Sequence, residues 1–271
     1  MEDLRGKVVL VTGAARGMGK LTAVNFAREG SRVAITDLDE KELRKTAGEM
    51  GAAGYDVHHY IQDVSDRAAC FRLVERVESE VGPIDVLVNN AAIALNESVL
   101  EMSEEHFRRI TDVNYLGQVW MMQAAVPGML KRKSGHVVNM CSVAGKVSVP
   151  RMGAYCATKH ALVAITDSIR MELRGSGVNF TIVNPGYIAT GMFEGAKPPI
   201  VTRWVEPQRV SDAILVAVRK NQAEIFEPAF VTRLTAFFRG LGIPKFLDFN
   251  LKALGVFRTF EGMKKERGRP F

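Results

Sequence analysis

The stretch that decides the fold is "KVVLVTGAARGMG", Lys7 to Gly19. An unbroken Val/Leu run enters a turn built on Thr12, Gly13, Gly17 and Gly19, and helix-forming residues follow from Leu21 to Glu29. A continuous apolar run suits a parallel strand covered on both faces, whereas a strand with one wet face would alternate. Glycines let the backbone turn tightly and approach a pyrophosphate, and the free N–H groups of the next helix then meet the anion. The spacing is Gly-xxx-Gly-x-Gly rather than the commoner Gly-x-Gly-x-x-Gly. On its own, such a turn is equally a tight strand–helix connection. Its position after the first strand makes phosphate binding the better reading.

Working outward, similar runs recur as "RVAITD", "DVHHYIQDV", "IDVLVNNA", "GHVVNMCS" and "VNFTIVNPG", with a short seventh, "AEIFEP". Between them lie helix-length segments at Glu40–Met50, Asp66–Val81, Glu104–Lys131 and Pro207–Lys220. Repeated β-α-β units of this kind predict an α/β fold: a doubly wound, Rossmann-type, seven-stranded parallel sheet with helices on both faces. The expected division is a catalytic domain over 1–229 and a helical, basic C-terminal extension over 230–271.

Composition narrows the class. The 271 residues are 47% hydrophobic and 24% charged, which excludes a disordered or fibrous chain. Three cysteines without CxxC or Cys/His spacing point to neither a disulfide framework nor a zinc site, and no metal is expected. The first residues run from charge straight into a strand, so a cytoplasmic location is expected. The net charge of +6 belongs to the tail. Val231–Phe271 holds nine of the 36 Lys/Arg and three of the 30 Asp/Glu, leaving 27 of each sign before it. No nucleic-acid surface is therefore expected on the main domain.

Strand ends supply the next candidates. Asp37 closes the second strand, 18 residues after Gly19. A carboxylate there accepts from ribose hydroxyls and repels a 2′-phosphate, which favours NAD over NADP. Arg16 argues the other way, and Asp37 is equally placed as a helix N-cap, with Asp39 as its rival. Asp63, at the third strand end, is placed to meet an adenine amino group. Asn89, Asn90 and Ala91 leave the fourth strand at the edge where such sheets bind ligands. The neighbours Met18, Leu38 and Val64 complete this expected cofactor set.

Further on stands "SVPRMGAYCATKHAL", Ser148 to Leu162. Tyr155 and Lys159 are four apart on one helix face, and Ser142 precedes them at a strand end. A free phenol, with a pKa near ~10, is a poor base at neutral pH. A nearby ammonium favours the phenolate, so Tyr155 is expected to exchange a proton with an alcohol oxygen that Ser142 holds. Lys159 is also placed to hydrogen-bond a ribose, and Asn114 in "DVNYLG" to anchor a relay water. Each residue alone has a plainer reading as a cap, a half-buried aromatic or a surface charge. The set, in this order, does not.

These residues resemble the short-chain dehydrogenase/reductase family over about residues 5–230. The match rests on Thr12-Gly13-xxx-Gly17-x-Gly19, Asn89-Asn90-Ala91, Asn114, Ser142, Tyr155-xxx-Lys159, and Pro185-Gly186 followed by Thr190. The resemblance implies hydride exchange between an NAD(P) cofactor and an alcohol or ketone. It also implies that Ile188 and Thr190 contact the nicotinamide carboxamide, and that the protein is a homodimer or homotetramer. "GHVVNMCSVAGKVSVPRMGAYCATKHAL" and "EPQRVSDAILVAVRKNQAEIFEP" resemble the branch of retinol dehydrogenases and lipid-droplet hydroxysteroid dehydrogenases.

The tail is read on its own physics. Phe230, Val231, Leu234, Phe237, Phe238 and Leu241 recur at helical spacing, Pro244 can open a second helix, and the chain finishes in "KKERGRPF". Two readings stand: helices packed on the body or a partner subunit, and an interfacial membrane contact. The expected substrate pocket is built from Ala94–Leu100, Lys146–Met152 and Tyr187–Trp204. The resulting expectation is NAD-dependent oxidation of a hydrophobic alcohol: a steroid, a retinoid or a long-chain alcohol. The alternatives are an NADPH-dependent reductase of ketones or 3-oxoacyl thioesters, and a nucleotide-sensing protein without catalysis.

Overall fold

The computed structural model describes residues 1–199, 204–241 and 244–263. Seven parallel strands form one sheet: β1 (Val8–Thr12), β2 (Arg32–Asp37), β3 (Val57–Ile61), β4 (Ile84–Asn89), β5 (Gly135–Met140), β6 (Val178–Pro185) and β7 (Glu224–Glu227). Their order is β3-β2-β1-β4-β5-β6-β7. The chain therefore winds outward from β1 to one edge, returns, and winds from β4 to the other. The reversal opens a crevice where β1 and β4 lie side by side, the place such sheets use for ligands.

Alternate residues of β1 explain its unbroken apolar run. Val9 and Val11 pack with α1 (Gly17–Arg28), α2 (Glu40–Ala52) and α7 (Pro207–Lys220). Val8 and Leu10 pack on the opposite side with α3 (Arg67–Glu80) and α5 (Gly117–Arg132). Both faces are dry, so neither set can be polar. Asp39, not Asp37, caps α2 by accepting from Glu42 N. Asp66 caps α3 and Ser103 caps α4 (Glu104–Thr111). The helical segment expected over Glu104–Lys131 is α4 and α5 joined by a π-helical turn, Asp112–Leu116, that holds Asn114. Among the described residues no helix is long and apolar enough to cross a membrane, and no cluster of metal-ligating side chains occurs. Cys70, Cys141 and Cys156 are buried and free.

After β7 the tail forms α8 (Ala229–Gly240) and α9 (Pro244–Ala253) and folds back on the body. Leu251 and Val256 pack against Val147. The fully buried Asn96 side chain donates to the carbonyls of Phe260 (2.9 Å) and Met263 (2.7 Å). The phenylalanine stripe of α8 is divided, with Phe238 packed against the Val147, Leu251 and Val256 cluster. Thr232 is turned inward, while Phe230, Leu234, Phe237 and Leu241 stand 78%, 42%, 62% and 50% exposed. The Thr232 hydroxyl can face inward because it donates to the Pro228 carbonyl one turn back. The Val231 side chain, the Ile200–Arg203 part of the expected pocket loop, and "KKERGRPF" lie outside the described residues.

Candidate active site

A cleft of about 830 Å³ runs along the carboxyl ends of the strands. At one end the glycine turn leaves β1. Gly13 has φ +65°, and a Cβ there would lie 2.7 Å from Ala91 Cα; Gly17 has φ +58°. Only glycine tolerates both the left-handed backbone and the close approach. Gly19 lines no part of the cleft: a Cβ on it would sit 2.3 Å from the Gly13 carbonyl oxygen, so this glycine lets α1 pack under the turn. Thr12 Oγ1 accepts from Asn90 N (3.0 Å) and Ala91 N (3.1 Å). The Asn90 carboxamide donates to the carbonyls of Thr12 (3.0 Å) and Gly13 (2.9 Å). Asn90 thus braces the turn. No side chain caps the start of α1, where Gly17 and Met18 face the cleft. Its first N–H groups are therefore available to an anion.

Asp37 and Leu38 follow along the rim. Asp37 accepts from Ala15 N and Asp39 N, both at 3.1 Å. Arg16 is paired with Asp39 at 3.1 Å. Asp63 and Val64 face the same space. Burial pushes the Asp63 carboxyl up, but hydrogen bonds from Ser65 and the Arg109 guanidinium outweigh it and hold it below the usual carboxylate range. Arg109 Nη1 reaches Asp63 Oδ2 at 3.2 Å and Ser65 Oγ at 2.7 Å. Sequence reasoning missed Arg109. Its signal was helical spacing: it stands one turn before Val113, which also lines the cleft.

The chemical groups meet at the other end. Tyr155 and Lys159 lie on α6 (Gly153–Glu172), and both are buried. Ser142 sits in the cleft and also caps a short 3-10 turn, accepting from Ala144 N at 3.1 Å. Its plainer reading as a cap is met by this bond. Lys159 Nζ donates to the Met140 carbonyl at 2.7 Å and stands 5.7 Å from the Tyr155 ring centroid. Burial lowers Lys159 to about 8. Burial raises the Tyr155 phenol, with a hydrogen bond to Ser142 pulling the other way. The Lys159 charge alone therefore does not hold a phenolate at neutral pH. The Asn114 side chain stays out of the cleft: its carboxamide accepts from Ile93 N and donates to Ile93 O, both at 2.8 Å. Pro185, Gly186 and Ile188 also line the cleft, and Thr190 does so beside Gly17 of the glycine turn.

A second, apolar chamber of about 90 Å³ lies behind Ser142 and Tyr155. Val147, Val149, Met152, Tyr187 and Phe193 come from the stretches expected to form the pocket. Thr232, Thr235, Leu251, Leu254, Val256 and Phe260 come from the tail. None of these tail residues belongs to the stretches expected to form the pocket, because only the chain's return brings them to its wall.

The model of the short chain dehydrogenase family matches residues 7–199. The chain is 32% identical to 17-beta-hydroxysteroid dehydrogenase 13 of Mus musculus over 85% of its own length and 76% of the relative's. It is 32% identical to epidermal retinol dehydrogenase 2 of Mus musculus, over 98% of its length and 88% of the relative's. It is 31% identical to estradiol 17-beta-dehydrogenase 11 of Homo sapiens, over 86% and 79%. A crystal structure titled as a putative gluconate dehydrogenase from Agrobacterium tumefaciens shares the fold, with TM-score 0.78 and 24% identity over 83% of this chain and 95% of that one. The chain belongs to the short-chain dehydrogenase family, on its retinol and hydroxysteroid dehydrogenase branch: an oxidoreductase of CH–OH groups that works with a nicotinamide dinucleotide.

Proposed function

We propose that the protein is an NAD-dependent dehydrogenase interconverting a hydrophobic alcohol (a steroid, a retinoid or a long-chain lipid alcohol) and its carbonyl. The observation that carries this reading is the apolar chamber lying directly against Ser142 and Tyr155 at the inner end of the dinucleotide cleft. The names of the relatives, which include steroid and retinol dehydrogenases, support the same substrate class. The preference for NAD rests on Asp37, whose charge disfavours a 2′-phosphate, and on Arg16 being engaged by Asp39.

In this reading Gly13, Gly17 and Met18 hold the pyrophosphate, with Gly19 and Asn90 shaping their turn. Asp37 and Leu38 hold the adenosine ribose, and Asp63 and Val64 the adenine. Ala91, Lys159, Pro185, Gly186, Ile188 and Thr190 hold the nicotinamide riboside. The bound dinucleotide supplies the hydride acceptor or donor. Ser142 holds the alcohol oxygen while Tyr155 takes its proton, or returns one to the developing alkoxide. Lys159 lowers the cost of the phenolate. Asn114 holds the Ile93 loop that walls the cleft. We further propose a homodimer or homotetramer, on family grounds, and a peripheral membrane contact on the cytoplasmic side through the exposed face of α8.

The test is reduced-cofactor formation by the purified protein, with NAD or NADP and a panel of steroid, retinoid, long-chain and short polar alcohols. Activity is expected with NAD on the hydrophobic alcohols, falling at least a hundredfold in Tyr155→Phe. Asp37→Ala is expected to narrow the preference for NAD. A strong preference for NADP would favour the second reading, a ketone or oxoacyl reductase in which Arg16 decides. Cofactor binding without turnover of any alcohol or ketone would favour a non-catalytic sensor.

A further inference from the structure

We propose that Asn96 is a positioning residue for the reaction: it holds a strained turn at Arg151 and, through that turn, the start of α6 and Tyr155. The inference rests on the dehydrogenase reading above. It concerns a residue that lines neither the cleft nor the chamber.

Among the described residues three other than glycine have a left-handed backbone: Lys133, Arg151 and Asn221. Lys133 and Asn221 end α5 and α7, where that conformation is common. Arg151, at φ +64°, ends no helix and stands directly before Met152, the N-cap of α6. A Cβ in this conformation crowds the chain's own carbonyl, so the turn persists only where its neighbours hold it. What it leads into is the catalytic helix. The Met152 carbonyl accepts from Cys156 N at 2.8 Å, which ties the turn to the helical residues on either side of Tyr155.

The holding contacts come from the loop after β4. Glu97 N donates to the Arg151 carbonyl at 2.9 Å, and Arg151 Nε donates to Asn96 Oδ1 at 3.0 Å. Val99 lies against Gly153, where an added Cβ would come 2.3 Å from Val99 Cγ2. The loop is thus laid along the turn and the first residue of α6. A carboxamide has one oxygen and two N–H groups. The Asn96 nitrogen donates to the Phe260 and Met263 carbonyls, which fixes the group and leaves its oxygen for Arg151. Asn96 is fully buried, so water cannot stand in for a lost partner. A shift of about 1 Å in a reacting group can cost about a hundredfold in rate, so the fit of this turn bears on Tyr155.

The experiment compares the wild type, Asn96→Ala and Asn96→Ala/Arg151→Gly, each loaded with NAD, on the alcohol of the panel that turns over best. Asn96→Ala is expected to lose at least about tenfold in kcat, with KM and NAD affinity changed by less than about threefold. Alkylation of Cys156 by iodoacetamide, read by peptide mass mapping, reports opening at the head of α6 without turnover. Cys156 is buried beside Tyr155, and the buried Cys70 on α3 is the reference. Cys156 should react at least about fivefold faster in Asn96→Ala, and Cys70 at its wild-type rate. Glycine takes the left-handed backbone without strain, so the double variant should recover most of the lost kcat and slow Cys156 again. Wild-type kcat in Asn96→Ala, a loss that Arg151→Gly leaves unrepaired, or equal acceleration of Cys70 and Cys156 overturns the positioning role and leaves the dehydrogenase reading intact. Absence of turnover on every alcohol and ketone overturns that reading; the Cys156 rates then still show whether Asn96 holds the turn.

Discussion

The Tyr155–Lys159 pair shows how far burial can oppose a designed proximity. Burial raises the phenol and lowers the ammonium to about 8. With Tyr155 as the proposed base, alcohol oxidation needs the phenolate, so kcat/KM for oxidation is expected to climb with pH through and beyond about 8. Carbonyl reduction needs the phenol and should hold into the alkaline range before it falls. Parallel pH profiles in the two directions check this; an oxidation profile flat from about pH 6 to about 10 removes Tyr155 from the role. His136 offers a separate residue-scale prediction. Burial, helped by the N-terminal ammonium, lowers it to about 4, and its Nε2 lies 2.8 Å from Thr181 Oγ1. The unfolded chain binds the proton first, near about 6.5. His136 therefore costs nothing above that pH and destabilises as pH falls from about 6.5 to about 4, by about 3 kcal/mol in full. Thermal melts of His136→Gln should lose several degrees less than the wild type across that window.

At the scale of elements, the glycine turn and α1 act as one unit. The turn's shape is held by Thr12 and Asn90, and its closeness to α1 by the missing Cβ of Gly19. Gly19→Ala must move the Gly13 carbonyl or the helix. The expected outcome is a loss of at least tenfold in NAD affinity with about 1–3 kcal/mol of stability, read by calorimetry and denaturant melts. Cofactor affinity equal to wild type would mean that α1 can retreat without opening the cradle. The motif spacing made these glycines legible in the sequence, but the role of Asn90 was not. An Asn at a strand end reads equally as ligand or brace until its partners across the crevice are seen.

At the scale of the molecule, α8 works on both faces. Its inner side borders the chamber, and its outer side carries a stripe of exposed Phe230, Leu234, Phe237 and Leu241. Phe249 on α9 is 72% exposed, and Arg233, Arg239 and Lys252 lie in the same two helices. Apolar side chains among cations suit an anionic lipid surface. Flotation with phosphatidylcholine–phosphatidylserine vesicles should recover the wild type at low salt and recover far less of a Phe230→Ser, Phe237→Ser, Phe249→Ser variant. Equal recovery of both, or no binding by the wild type, counts against membrane contact.

What the sequence by itself determined was the sheet, the crevice at its carboxyl edge and the meeting of Ser142, Tyr155 and Lys159 there. Those rest on local regularities: strand runs dry on both faces, glycines where only glycine fits, and an i, i+4 pair. Only the tertiary structure decided which face of α8 turns inward, that Arg109 reaches Asp63, that Asn114 serves Ile93, and that Leu251 and Val256 wall a chamber behind Tyr155. Each of these is a contact between segments distant in the chain. Periodicity marks an apolar face but does not say what the fold will bring against it.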